Sequence, residues 1–291
     1  MLSTLIQQTA NGLALGSIYA LVAVGFTMVY GILFFINMPH GDMMMVGTYF
    51  ALFLFLSGMP FIGMVIGGVI FTAILGITIE LVAYRRLRRV RRLAPLLSAV
   101  GVSYFLSNGI QVVAGPMPKP FPNPFAGDVT IAGINLPNMI LVSIITTAVL
   151  ALSLEFFIHK TRIGTAIRAA SQDLPITALM GLSINMLISL TFGISGSMAV
   201  VAGIMIGMRY GSVSPTIGFA FMLKAFAACV LGGIGNIRGA ILGGLILGIV
   251  EVFAVAYISS AYRDAIAFMV LIAVLLIRPS GILGGRTDVA V

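Results

Sequence analysis

Arg85-Arg86-Leu87-Arg88-Arg89-Val90-Arg91-Arg92 stands between two long apolar runs, residues 61–84 and 94–114. Each run reaches the roughly 20 residues that a helix needs to cross about 30 Å of hydrocarbon. An arginine cluster between two such runs is a topology signal, because Lys- and Arg-rich loops stay on the cytoplasmic side. Six of the sixteen basic residues lie in this one stretch. The net charge of +8 therefore reflects membrane topology rather than a nucleic-acid-binding surface.

The composition agrees. The chain has 291 residues, 60% of them hydrophobic and 8% charged, against about a half and a quarter in soluble domains. So few charges cannot cover a soluble globule of this size. A soluble enzyme, a disordered chain and a disulfide-built secreted domain are excluded, leaving an all-α polytopic membrane protein. The single Cys229 excludes an internal disulfide and a cysteine-based metal cluster. It reads as a small hydrophobe.

Six runs are long enough to span: 12–35, 61–84, 94–114, 138–158, 183–207 and 239–258. Three shorter ones, 42–57, 218–234 and 264–277, suit tilted, half-spanning or re-entrant segments. Eight or nine crossings are expected. The first run has no basic n-region and does not read as a cleavable signal peptide. With the arginine run inside and nine crossings, cytoplasmic connections hold 12 basic residues and external ones 3. That bias predicts an external N-terminus and a cytoplasmic C-terminus. Residues 115–137 carry Pro116, Pro118, Pro120, Pro122, Pro124 and Pro137. They predict an extended external loop rather than a helix.

Small residues four apart let helix backbones meet in lipid. The spacing recurs at Gly12/Gly16, Gly63/Gly67, Gly203/Gly207, Gly235/Gly239/Gly243 and Gly244/Gly248. It fits tight packing, and it also fits helices that slide during transport.

Two polar interruptions stand out. In Asn37-Met38-Pro39-His40-Gly41-Asp42, Pro39 removes a backbone donor and Asp42 is placed to cap the following helix. The segment reads either as a cytoplasmic turn or as a break with polar backbone at membrane depth. Consecutive helical residues diverge by about 100°, so Met43-Met44-Met45 cannot converge on a soft metal. The second break, Gly232 to Gly239, contains Asn236 and Arg238. Paired breaks in two halves point to a transport path. Asn37, His40, Asp42, Asn236 and the intramembrane Glu251 are its candidates, with Lys224 a possible partner of Glu251. So few intramembrane charges disfavour a self-powered carrier.

In residues 159–182, Arg162 to Ala170 mixes two basic residues, Arg162 and Arg168, with apolar ones in a stretch polar enough to leave the membrane. Asp173 as N-cap, Pro175 in the first turn and Gly181 past the end predict a short helix at about 174–180. Leu174, Ala178 and Leu179 give it an apolar surface that suits docking in a partner's groove, or a structured connector.

Several stretches carry a family resemblance: Asn11 to Leu21, Gly25 to Ile32, Ile36-Asn37 with His40-Gly41-Asp42, Gly164 to Gly181, Lys224 to Ala240, and Arg278 to Gly284. Together they resemble the LivH-type permease subunits of branched-chain amino acid ABC importers. Met38-Pro39 departs from the family's usual Asn-Phe-Ala-His-Gly-Asp form. The resemblance implies one permease domain over residues 1–291, in a bacterial inner membrane, with the helix arrangement of vitamin-B12-type and ribose-type importers. It also implies a second, homologous permease, two ATP-binding cassette subunits and a periplasmic binding protein. No cofactor is implied, and importers of urea or short amides share the architecture. Arg168, Asp173, Leu174, Ala178, Leu179 and Gly181 would form the ATPase-coupling element. The chain contains no Gly-x-x-x-x-Gly-Lys-Ser/Thr phosphate loop, so the ATPase would be a separate subunit.

Overall fold

The computed structural model describes residues 2–89, 93–131, 134–278 and 280–284. The end of the arginine run, residues 90–92, lies outside them. The described residues form eleven α-helices and two small antiparallel strand pairs. In chain order the helices are α1 (Leu2–Leu33), α2 (Pro39–Leu56), α3 (Phe61–Ile79), α4 (Leu93–Ala114), α5 (Asn138–Lys160) and α6 (Arg162–Gln172). They continue as α7 (Leu174–Leu179), α8 (Ile184–Tyr210), α9 (Ile217–Gly232), α10 (Ile237–Tyr257) and α11 (Arg263–Ile277). Seven helical segments are long and apolar enough to cross a membrane, and α9 is a shorter apolar helix. The fold is that of an all-α polytopic membrane protein.

The central helix is α1, which packs against α5, α8, α9 and α10. Ile18, Tyr19, Ala20, Val22, Ala23 and Phe26 on it are wholly buried. It meets α10 where two of the noted glycine pairs, Gly12/Gly16 and Gly244/Gly248, face each other, whereas Gly63 and Gly235 press on no other helix. A Cβ on Gly248 would lie 2.2 Å from the Gly16 backbone, so no other residue fits without moving a helix. In lipid the gain comes from this close backbone contact, because lipid is as apolar as a leucine side chain. The outer helices α4 and α11 keep large apolar side chains exposed, among them Tyr104, Phe105, Leu276 and Ile277. Such faces are costly in water and neutral in hydrocarbon.

Several expectations are corrected. The first helix begins at Leu2, about ten residues before the apolar run, and takes in Gln7, Gln8 and Asn11. Residues 162–172 form α6, where the polar residues suggested a loop. Its Gly164, Ala166, Ile167 and Ala170 are buried, a spacing of three and four that is helical. The proline-rich segment is not wholly irregular. Lys119–Pro120 (β1) pairs with Ser212–Val213 (β4), and Asp128–Ile131 (β2) pairs with Ile134–Pro137 (β3). Asp42 does not cap α2, which starts at Pro39 with Met38 at the cap position and no side-chain cap bond. The carboxylate is instead tied to another helix.

The first break folds back into the bundle. α1 ends where Phe34 takes a left-handed backbone (φ 52°), which a continuing helix cannot hold. Six residues later, His40 lies beside Val22 and Gly25, well up the same helix. The intervening Asn37 is wholly buried. The second break is closed by the chain's own later segment. Ile282 N–H and Leu283 N–H donate to the Leu231 and Gly232 carbonyls at 2.9 Å each, and Gly235 N–H donates to Thr27 Oγ1 at 2.9 Å. These bonds satisfy carbonyls that the end of α9 leaves open.

Candidate functional site

Polar groups follow α1 from one end of the bundle toward the other. Near its start, Gln8 and Asn11 line a cavity of about 260 Å³ with Arg209, Tyr210, Glu251 and Arg263. Asn11, Arg209 and Tyr210 also line a second cavity of about 340 Å³, under the 123–137 segment. Two turns along α1, the Tyr19 hydroxyl donates to the Glu251 carboxylate at 2.9 Å. Lys224 Nζ on α9 donates to Glu251 Oε1 at 2.9 Å and to the Tyr19 hydroxyl at 3.1 Å. Arg263 Nε lies 3.4 Å from the same carboxylate oxygen, and Lys224 also pairs with Asp264 at 3.0 Å. The expected Lys224–Glu251 pair is therefore present. A buried carboxylate is tolerable only with such partners.

One turn further, His40 Nε2–H donates to the Val22 carbonyl at 3.0 Å, and His40 Nδ1 lies 3.1 Å from Ser195 Oγ. The carbonyl can only accept, so Nε2 carries the proton and Nδ1 accepts from Ser195. Asn37 Oδ1 accepts from the Tyr84 hydroxyl at 3.0 Å, while its buried Nδ2 has no hydrogen-bond partner among the described residues. Asp42 accepts from Ser103 and Ser107, four residues apart on α4, the latter at 2.8 Å. Two hydroxyls four apart on one face of a mostly apolar spanning helix were a readable sign of a buried acceptor.

The candidates do not converge on one point. Asn37, His40 and Asp42 belong to the re-entering break, and each has its own partners. Glu251 belongs to the cluster nearer the start of α1. Asn236 caps α10, accepting from Gly239 N–H at 3.2 Å and donating to the Leu283 carbonyl at 2.9 Å.

At the opposite end of the bundle, Asp173 caps α7 by accepting from Ile176 N–H at 2.9 Å. Gly181 follows the helix with φ 81°, as its predicted stop requires. Leu174 is half-buried, whereas Ala178 and Leu179 are exposed, Leu179 to 88%. Ile176 and Met180 add to the same exposed apolar surface. Arg168 on α6 is exposed nearby. Beside α7 lies a cleft of about 920 Å³, lined by Leu174, Pro175, Ala178, Arg85, Arg86 and Arg88, among others. Sequence reasoning passed over its anchor, Glu80, which is wholly buried at the π-turn ending the third span. It holds Arg85 at 3.0 Å and also Arg88, and accepts from Ser189 of α8 at 2.6 Å. The arginine run is thus more than a topology signal: two of its members brace the loop against α8.

The comparisons with known proteins agree with this anatomy. Residues 8–275 match the family described as branched-chain amino acid transport system, permease component. The chain is 42% identical to the high-affinity branched-chain amino acid transport system permease protein BraD of Pseudomonas aeruginosa, over 96% of this chain and 95% of that one. It is 41% identical to the corresponding LivH protein of Escherichia coli K12, with the same coverage of both chains. Among solved structures, PsaBC from Streptococcus pneumoniae in complex with a Fab is similar in fold, with a TM-score of 0.50 at 16% identity, over 94% of this chain and 90% of that one. The chain belongs to the family of permease components of branched-chain amino acid transport systems, and is a transport component rather than an enzyme.

Proposed function

We propose that this chain is one of two permeases in an ATP-driven importer of branched-chain amino acids. A periplasmic binding protein would deliver the solute and two ATP-binding cassette subunits would supply the energy. The observation that carries this reading is α7. It is a capped helix of six residues with exposed Ile176, Leu179 and Met180 beside a cationic cleft. An apolar surface held on so short a helix suits a groove on a partner. Family membership supports the identity of that partner.

In this reading the seven long segments, with α2 and α9, make nine membrane helices of a single unit. Their arrangement is of the vitamin-B12 and ribose-importer type. The arginine-rich end faces the cytoplasm and the N-terminus lies outside, in a bacterial cytoplasmic membrane. The route passes the polar groups along α1: Glu251, then His40, Asn37 and Asp42. It lies toward the second permease, with Asn236 near its inner end.

Reconstitution with the cognate subunits tests the proposal. ATP-dependent leucine uptake that requires the binding protein is expected. Uptake without ATPases would make the chain a carrier, and preference for urea or a short amide would change the substrate. Ala178→Asp places a charge in the presumed groove and should abolish ATPase association; unchanged association removes α7 from the interface. His40→Ala and Asn37→Ala should slow uptake in assembled complexes, and full-rate uptake by both would make the break a packing feature. Labelling fixes the orientation, in a background with Cys229 replaced by Ala. Cysteine at the exposed Ala126 should react with an impermeant reagent from outside, and cysteine at Leu179 only after the membrane is opened. The reverse pattern would invert the topology.

A further inference from the structure

The end of the bundle near the start of α1 holds a cation, Arg209, that pairs with no carboxylate among the described residues. Glu251 is surrounded by Lys224, Tyr19 and Arg263, and Asp264 takes the other side of Lys224. Arg209, at the last turn of α8, is half-buried and makes no hydrogen bond or ion pair among the described residues. It lines both cavities at this end, with Asn11 and Tyr210. Asp128 lines only the cavity under the 123–137 segment, and Glu251 only the other.

We propose that Arg209 and Asn11 form a reception site for the carboxylate of the transported amino acid at the mouth of the permease. A guanidinium presents paired N–H donors in the geometry of a carboxylate, and it keeps its charge when partly desolvated. The volume also selects. A cavity of about 260 Å³ lies just below the usual range for ligand pockets of about 300 to 1,000 Å³. It suits one small amino acid and not a protein side. The apolar part of the solute has Leu15, Val252 and Val255 to rest on. The site has only one unspent cation, which suits a station that must release its solute.

This inference rests on the proposed importer function. The test uses the complete complex in proteoliposomes, saturated with leucine-loaded binding protein. Arg209→Gln should lower leucine uptake about tenfold or more, the loss expected for a charged hydrogen bond. Binding-protein docking and the ATPase stimulation it causes should persist, so that more ATP is hydrolysed per leucine imported. Arg209→Lys should recover part of the uptake, since it keeps the charge and loses the fork. Co-purification of all subunits with each variant checks assembly. Wild-type uptake by Arg209→Gln would overturn the site. Loss of docking would also overturn it, making Arg209 a contact for the binding protein. Absence of leucine uptake by the wild-type complex would instead overturn the importer reading.

Discussion

Two wholly buried carboxylates, Glu80 and Glu251, lie toward opposite ends of the bundle, and each is held by cations and a hydroxyl. Glu80 draws its cations from five and eight residues away, Arg85 and Arg88, and takes Ser189 from α8. Glu251 gathers Tyr19 from α1, Lys224 from α9 and Arg263 from α11. The first is a local brace that fixes a loop beside the α7 cleft. The second ties four helices together, beside Arg209, which makes no hydrogen bond or ion pair among the described residues. The same chemical unit thus lies beside the exposed α7 at one end and beside the cavities lined by Arg209 at the other.

The largest expected effect lies at Glu251. Lys224→Met leaves the carboxylate with Tyr19 and with Arg263 at 3.4 Å, and breaking a buried pair costs about 3–5 kcal/mol. Thermal unfolding of the protein in nanodiscs should show the loss. Adding Glu251→Gln should restore most of it, because the double variant no longer buries an uncompensated charge. A single variant as stable as wild type would mean that Lys224 is dispensable to the cluster.

Next comes Gly248→Ala, one turn from Glu251 on α10. The added methyl meets the Gly16 backbone at 2.2 Å, so α10 must shift. Overpacking of this kind costs about 1–3 kcal/mol. It should disturb the Glu251 end and spare the Glu80 end, which cysteine accessibility at each can report. Equal disturbance at both would mean that the ends are not independent.

Glu80→Gln should cost about 1.5–3 kcal/mol, the loss of charge-assisted bonds to Arg85 and to the mostly buried Arg88. Arg85 is already 34% exposed and can turn to water. The functional signature is expected in ATPase coupling, with leucine entry at the mouth unaffected. A stability loss as large as that of Lys224→Met would erase the contrast between the two carboxylates.

These clusters explain what could be read in the sequence. Span lengths, the glycine seam and the α7 caps were legible because each is a local pattern in a fixed medium. The start of α1 was not, because Gln7, Gln8 and Asn11 are polar and lie outside the apolar run, yet Gln8 and Asn11 line a cavity. α6 was hidden because Arg162, Thr165 and Arg168 made the stretch read as a polar loop, whereas the buried set is spaced by three and four. Glu80 looked like a stray charge in an apolar run, and its partners lie partly on α8, more than 100 residues away. The Lys224–Glu251 pair was suspected from the cost of two intramembrane charges, but its closure through Tyr19 needed the helix packing.

The smallest effect belongs to Asn236, where the two breaks part. The first break hides Asn37 in the bundle with an unsatisfied amide, whereas the second satisfies its backbone through Asn236 and the 281–284 segment. Asn236→Ala should cost about 1 kcal/mol, the usual loss for an N-cap. Asn236→Asp keeps the acceptor for Gly239 N–H and adds a charge that the helix N-terminus favours, but loses the donor to the Leu283 carbonyl. It should therefore lose less than Asn236→Ala. If Asn236 acts only as a cap, leucine uptake per assembled complex should be the same in both variants, and only the melting temperature should move. If uptake falls in Asn236→Asp while the melting temperature holds, the side chain meets the solute. A polar residue can then both close a helix and line a route, and the contrast between the breaks would be one of backbone satisfaction alone.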